Sequence, residues 1–135
     1  NLSQQHHAYI LNIASLAALS PIGYKTVYPA SKAFIHNFSL GLAEELKDTN
    51  ISVSVVHPGA MKTNLEVTKR VEKQGFIGKL TLLELDTIAK KCVAGLYSKK
   101  KIIVLNPFNY YIMKLLPTSL KTRLITKGVK REIHE

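Results

Sequence analysis

The sequence predicts an α/β fold built on a parallel sheet. Short apolar strand patterns alternate with longer helical ones, in the order strand, helix, strand, helix, strand, helix. That order calls for parallel strands joined by helical crossovers. The first strand pattern is also a nearly continuous apolar run, as suits a strand covered on both faces.

Residues 8–14 (Ala-Tyr-Ile-Leu-Asn-Ile-Ala) form that first strand pattern, with Ser15 at its carboxyl end. Ser20-Pro21-Ile22-Gly23 follows as a loop signal. From about Thr26 to Lys47 the pattern is helical, with Ala33, Phe34, Phe38, Leu42 and Leu46 recurring at three- and four-residue spacing. Pro29 fits a helix only in its first turn. Asp48-Thr49-Asn50 ends this helix. Residues 51–57 (Ile-Ser-Val-Ser-Val-Val-His) alternate and then run apolar, as a second strand that Pro58-Gly59 stops. Residues 60–83 lack a regular period and carry Gly75, Gly78 and several lysines, a pattern expected of a mobile segment. Glu84 to Lys99 is helical again, with Leu85, Ile88, Ala89, Val93, Leu96 and Tyr97 expected on one side. Ile102 to Leu105 is a third short strand. The expected division is a sheet-bearing unit over 1–106 and a basic amphipathic tail over 107–135, broken at Pro117. Ligands of open α/β sheets lie outside the carboxyl ends of the strands. Ser15 and the Pro58-Gly59 turn both fall there.

The composition is that of an ordinary globular domain, 46% hydrophobic and 21% charged. The charge is uneven. Residues 1–59 carry three cations (Lys25, Lys32, Lys47) and three acids (Glu44, Glu45, Asp48), so residues 60–135 hold the whole net charge of +10. Such asymmetry points to an anionic partner, such as a nucleotide phosphate, an acyl-carrier or coenzyme group, or an acidic membrane, or else to a solvated lysine-rich surface. No nucleic-acid-binding module is present, and nucleic acid is not expected as a partner. The single cysteine, Cys92, rules out an internal disulfide and reads as a semi-buried thiol in a helix. No apolar run approaches the roughly 18 residues of a membrane span. The first residues show no secretory pattern, so a cytoplasmic location is expected. The chain opens on Asn1 close to a strand, which suggests a piece of something longer. Adjacent residues on a strand point apart, so His6-His7 is not expected to hold a metal, and none is expected elsewhere.

Tyr28-Pro29-Ala30-Ser31-Lys32 carries the chemistry. Tyr28 and Lys32 are four residues apart, so on a helix they share a face. A free phenol, with a pKa near about 10, is a poor proton carrier at neutral pH. A cation held at roughly 4 Å is worth about 4 kcal/mol at an effective dielectric near 20. That would lower the phenol's pKa by up to about three units, into the range of acid–base catalysis. A hydroxyl at Ser15 could then hold the oxygen that Tyr28 protonates.

Three motifs occur in order: Ile10-Leu11-Asn12-Ile13-Ala14-Ser15, then Tyr28-Pro29-Ala30-Ser31-Lys32-Ala33-Phe34, then Ile51 to Val56 leading into His57-Pro58-Gly59-Ala60-Met61-Lys62-Thr63. Together they resemble the active-site half of the short-chain dehydrogenase/reductase family, over roughly residues 8 to 105. The resemblance implies the C-terminal half of a Rossmann-like three-layer parallel sheet, with about three strands. It implies hydride transfer between NAD or NADP and a carbonyl/alcohol pair. Tyr28 would be the general acid/base, and Lys32 would tune it and bind the nicotinamide ribose. Ser15 would orient the substrate oxygen. Pro58, Gly59, Ala60 and Met61 would border the nicotinamide, and Thr63 would contact the carboxamide or phosphate.

The glycine-rich turn of the family is absent: none of the seven glycines forms a Gly-x-x-x-Gly-x-Gly run after a strand. The Asn-Ala-Gly strand motif is absent too, and the residue that would choose between NAD and NADP belongs to the missing half. By itself the chain is therefore expected to bind a dinucleotide poorly, and, with apolar surface of its first strand and first long helix uncovered, to self-associate or be only marginally stable. The alternative to an enzyme is a catalytically incompetent fragment that serves as a folding or dimerisation module. In the family the helix bearing Tyr28 and Lys32 often lies in the dimer interface, which makes Phe34, Phe38 and Leu42 candidates for a homo-oligomer contact. The tail reads either as a helix capping the core over a substrate pocket or as a basic amphipathic helix at an anionic membrane surface. Its apolar residues suggest a hydrophobic substrate.

Overall fold

The computed structural model describes residues 1–61 and 83–133. The expected irregular stretch over 60–83 lies mostly outside the described residues, as does Thr63. The element order is β1 (Ala8–Ile13), α1 (Val27–Glu45), β2 (Ile51–Val56), α2 (Leu85–Tyr97), β3 (Ile102–Ile103), α3 (Pro107–Leu115) and α4 (Thr118–Ile133), with a 3-10 turn at Leu16–Leu19.

The three strands form a parallel sheet in the order β1-β2-β3. Ala8 stands opposite Ile51 and Ile13 opposite Val56, and Val55 and Val56 stand opposite Ile102 and Ile103. β2 is therefore the central strand. Its Val53, Ser54, Val55 and Val56 are buried, which explains why that stretch alternates less than a half-exposed strand would.

Side chains alternate across a strand, and β1 shows which helix lies where. Asn12 donates from Nδ2 to Ser39 Oγ at 2.9 Å, which ties one face to α1. Its neighbour Leu11 points the other way and packs on the cluster of Val56, Ile88, Cys92, Ile103 and Leu105 that α2 closes. Tyr9, on the same face as Leu11, meets the ring of Tyr97 edge-on at 5.7 Å. The sheet is thus the middle of three layers.

The helices differ from expectation in the face they bury. On α1 the buried residues are Pro29, Ser39 and Ala43, whereas Phe34 and Phe38 stand outside, their rings stacked at 6.0 Å and 12°. The apolar period of this helix marks an outward stripe, and small or polar residues face the sheet. Ser39 can do so because its hydroxyl donates to Ile35 O at 2.6 Å while accepting from Asn12, so nothing polar is stranded. On α2 the buried residues are Ile88, Cys92 and Gly95, while Val93 and Tyr97 are exposed. Gly95 belongs to the buried face because a Cβ there would stand 2.6 Å from Ile103 Cγ1.

Beyond β3 the chain forms two helices. Asn106 caps α3, its side chain accepting the Asn109 N–H at 3.2 Å, and Pro107 follows in the first turn, where its missing N–H costs nothing. Leu116-Pro117 separates α3 from α4, as the break at Pro117 foretold. Lys121 is buried and donates to Met113 O at 2.8 Å, a cation set at the C-terminal end of α3 where the helix dipole favours it.

Candidate active site

The carboxyl ends of β1 and β2 meet at Ser15 and Pro58. The Ala14 N–H donates to Val56 O and the Leu16 N–H to Pro58 O, so the pairing of the two strands runs on past their ends. Within this frame the Ser15 hydroxyl donates to Pro58 O at 3.4 Å and accepts the Ala17 N–H at 3.1 Å. Ser15 is thereby the cap of the 3-10 turn at Leu16–Leu19. Its position is set by backbone on both sides.

Tyr28 and Lys32 enter from the first two turns of α1. The Lys32 ammonium reaches the end of β1 and donates to Ile13 O at 3.3 Å, two residues before Ser15. It stands 5.8 Å from the centre of the Tyr28 ring, within the range of a cation–π contact. Tyr28 is half exposed. After β2, Pro58 is buried, and Gly59, Ala60 and Met61 lead out of the sheet. Met61 pairs with Leu83 as an isolated parallel bridge, and the Leu83 N–H donates to Ala60 O at 3.1 Å. The structure therefore gathers Lys32, Ser15 and Pro58 at one edge of the sheet, with the Tyr28 ring beside the ammonium.

Beneath this edge lies a cluster of which the sequence offers only His57, at a strand end where a structural role is expected. His57 is buried, with Nε2 at 3.0 Å from His36 Nδ1. The two rings meet edge-on at 4.8 Å, and the buried Tyr110 of α3 covers His57 at 5.6 Å. Burial, and then the neighbouring His36, push the His57 imidazole down to about 4. His36 is lowered by burial and by the Lys114 charge. The signal for His36 was available: Tyr28, Lys32 and His36 recur every four residues, so all three ride one face of α1. Burial also raises the Cys92 thiol, in keeping with an inert side chain.

With the strand-end hydroxyl, the ammonium and the phenol in view, the likeness to known proteins is specific. The family model for short chain dehydrogenase matches residues 1–74. Very-long-chain 3-oxoacyl-CoA reductase of Anas platyrhynchos is 33% identical over 124 residues, covering 90% of this chain and 38% of that protein. Among solved structures, a 7beta-hydroxysteroid dehydrogenase superposes with a TM-score of 0.70 at 17% identity, over 92% of this chain and 49% of that one. NAD+-bound xylitol dehydrogenase superposes with a TM-score of 0.58 at 22% identity, over 76% of this chain and 48% of that one. The chain belongs to the short-chain dehydrogenase family. Its sheet is the C-terminal half of that family's Rossmann-like fold. The chain spans less than half the length of the relatives it matches.

Proposed function

We propose that these residues serve an NAD- or NADP-dependent oxidoreductase that interconverts a carbonyl and an alcohol, with Tyr28 as general acid/base. One observation carries the reading: the Lys32 ammonium is anchored on the Ile13 carbonyl at the end of β1, two residues before Ser15, and stands beside the Tyr28 ring. The site suits the nicotinamide–ribose end of a dinucleotide. Lys32 has three N–H donors and gives one to Ile13, which leaves others for ribose hydroxyls. The Pro58–Met61 backbone would border the nicotinamide, and the hydroxyl of Thr63 would contact its carboxamide or phosphate. When bound, the nicotinamide supplies or accepts the hydride.

This chain's own residues do the rest. The Ser15 hydroxyl holds the substrate oxygen. Tyr28 gives that oxygen a proton in reduction and removes one in oxidation. The Lys32 charge stabilises the negative charge on the phenol oxygen while the proton is away. The nucleotide phosphates are left to a glycine-rich turn of the kind the family carries ahead of this half. The sheet-bearing unit over 1–106 would do the chemistry, and the tail over 107–135 would cover a pocket for a hydrophobic substrate.

Two partner surfaces belong to the same reading. Val27, Phe34 and Phe38 form an exposed stripe on α1 that suits a second copy of the enzyme. Phe108, Tyr111, Ile112 and Leu115 recur at three- and four-residue spacing and stand exposed on α3, beside the basic residues of α4. That pattern suits peripheral contact with an anionic membrane from the cytoplasmic side. No helix among the described residues is long and apolar enough to cross a membrane.

The test is a reductase assay of the full-length protein with NADH and with NADPH across a panel of apolar ketones and aldehydes. The reading expects oxidation of one of the two cofactors in step with carbonyl loss. Binding of a cofactor with no reduction of any carbonyl would sink it.

A further inference from the structure

Two clefts meet at α4. The outer one, about 490 Å³, is lined by Ser119, Thr122, Arg123, Thr126, Lys127 and Lys130 and is bordered by Tyr24. Those six positions recur at three- and four-residue steps, so they form one stripe along the helix. The stripe sets three cations and three hydroxyls side by side. Like charges at this spacing repel each other, and no ion pair to Arg123, Lys127 or Lys130 is present among the described residues. The inner cleft, about 520 Å³, is mostly apolar and runs between the Leu16–Leu19 turn and the first turns of α1, past Thr26, Pro29 and Ala33. Thr122 lines both, so the two clefts adjoin there.

The loop between them is built for a close approach. The Gly23 N–H donates to Thr126 Oγ1 at 2.9 Å, and a Cβ on Gly23 would stand 2.6 Å from Thr126 Cγ2. Only glycine lets the loop lie this near α4. Tyr24 follows at φ 64, left-handed backbone that a tyrosine adopts at a cost, and its ring is exposed at the rim of the outer cleft. A strained tyrosine, a tight glycine contact and three cations without an ion pair among the described residues thus converge on one groove.

We infer that the groove binds a ligand with a phosphate at one end and an apolar arm at the other. The phosphate lies on the Arg123–Lys127–Lys130 stripe, and the arm enters the cleft beside the first turn of α1. Arg123 and the two lysines supply charge-assisted hydrogen bonds, and Ser119 and Thr122 supply neutral ones. The arm runs along the face of α1 that carries Thr26, Pro29 and Ala33, beside the face that carries Tyr28 and Lys32. The phosphate can come from a soluble phosphorylated carrier or from a phospholipid headgroup.

The test uses the full-length protein and reads binding rather than turnover, so its outcome is separate from that of the carbonyl assay. Isothermal titration is run with octyl phosphate below its micelle concentration, with inorganic phosphate and with octanol. Octyl phosphate should bind more tightly than either fragment, and Arg123→Gln with Lys127→Gln should weaken it about tenfold or more. Lys90→Gln with Lys100→Gln removes the same charge from exposed positions elsewhere and should leave binding unchanged. Co-sedimentation with phosphatidylcholine vesicles, with and without phosphatidic acid, distinguishes the sources: pelleting that the Arg123/Lys127 variant loses assigns a lipid headgroup, and octyl phosphate binding without pelleting assigns a soluble ligand. The inference is overturned if octyl phosphate binds no better than octanol, or if the two double variants behave alike.

Discussion

At the residue scale, the proposed chemistry rests on Lys32. Its ammonium is tethered to a strand-end carbonyl, so its place does not depend on a mobile partner. Removing it in Lys32→Ala leaves Tyr28 without its neighbouring cation. In the full-length enzyme, kcat for carbonyl reduction should drop by about a hundredfold or more, a range typical of lost acid–base assistance. Steady-state kinetics with saturating cofactor check this. Lys32 was readable from the sequence because its motif stands in order with two others; the four-residue step from Tyr28 is by itself a weak signal. Its acceptor was not, because Ile13 O is a backbone atom nineteen residues away. The buried histidine pair makes a second statement at this scale. The fold keeps His57 neutral, with its imidazole lowered from 6.5 to about 4. A base whose pKa is depressed by folding contributes stability that is complete above the unfolded value and is lost as pH falls through the folded one. Stability should therefore decline between pH 6.5 and about 4. Glu44, which Lys47 and then Lys101 hold down to about 2, adds its own loss only below the ordinary carboxylate range. Urea unfolding at pH 7 and pH 5 should give a lower midpoint at pH 5, and His57→Asn should flatten that difference. An equal difference in both proteins would assign it to other groups.

At the element scale, strand and helix boundaries followed the sequence closely, but the buried faces did not. Phe34 and Phe38 carry the strongest apolar period of α1 and lie outside, because the packing side is set by Asn12, Ser39 and Ala43 meeting across the layer. Periodicity shows that a helix has an apolar stripe and leaves open what the stripe meets. Gly95 reached the buried face of α2 through its missing side chain, which no hydrophobicity pattern can register. The end of α2 allows a direct test. Lys99 sits at φ 51 just past the helix, with its N–H donating to Leu96 O and the Lys100 N–H to Gly95 O. A side chain there pays the left-handed penalty that glycine avoids. Lys99→Gly should stabilise the chain by about 1 kcal/mol, read as a higher denaturation midpoint at unchanged slope. A lower midpoint would show that the lysine side chain contributes more than its backbone strain costs.

At the scale of the whole molecule, a three-stranded parallel sheet with helices on both sides leaves β1 paired, among the described residues, with β2 alone. On the outward stripe of α1 stands the exposed Phe34–Phe38 stack. Under the proposed function this exposed aromatic pair is the surface for a second copy. Phe34→Glu with Phe38→Glu should shift the full-length protein toward monomer in sedimentation velocity, whereas an unchanged distribution would place the contact elsewhere. The layer fold was legible, and the candidate site residues could be named, because three motifs lie in order on strand ends and a helix start. The histidine cluster and the groove on α4 were not, since both arise where the tail folds back onto the first sixty residues.

The claim on which the account turns is that the Tyr28 phenol moves the proton. Single-turnover kinetics of the full-length enzyme, following cofactor absorbance in the wild type and in Tyr28→Phe, test it most directly. The account predicts that Tyr28→Phe binds the cofactor as the wild type does and slows the hydride step by about a hundredfold or more. A hydride step that proceeds at the wild-type rate in Tyr28→Phe would contradict it.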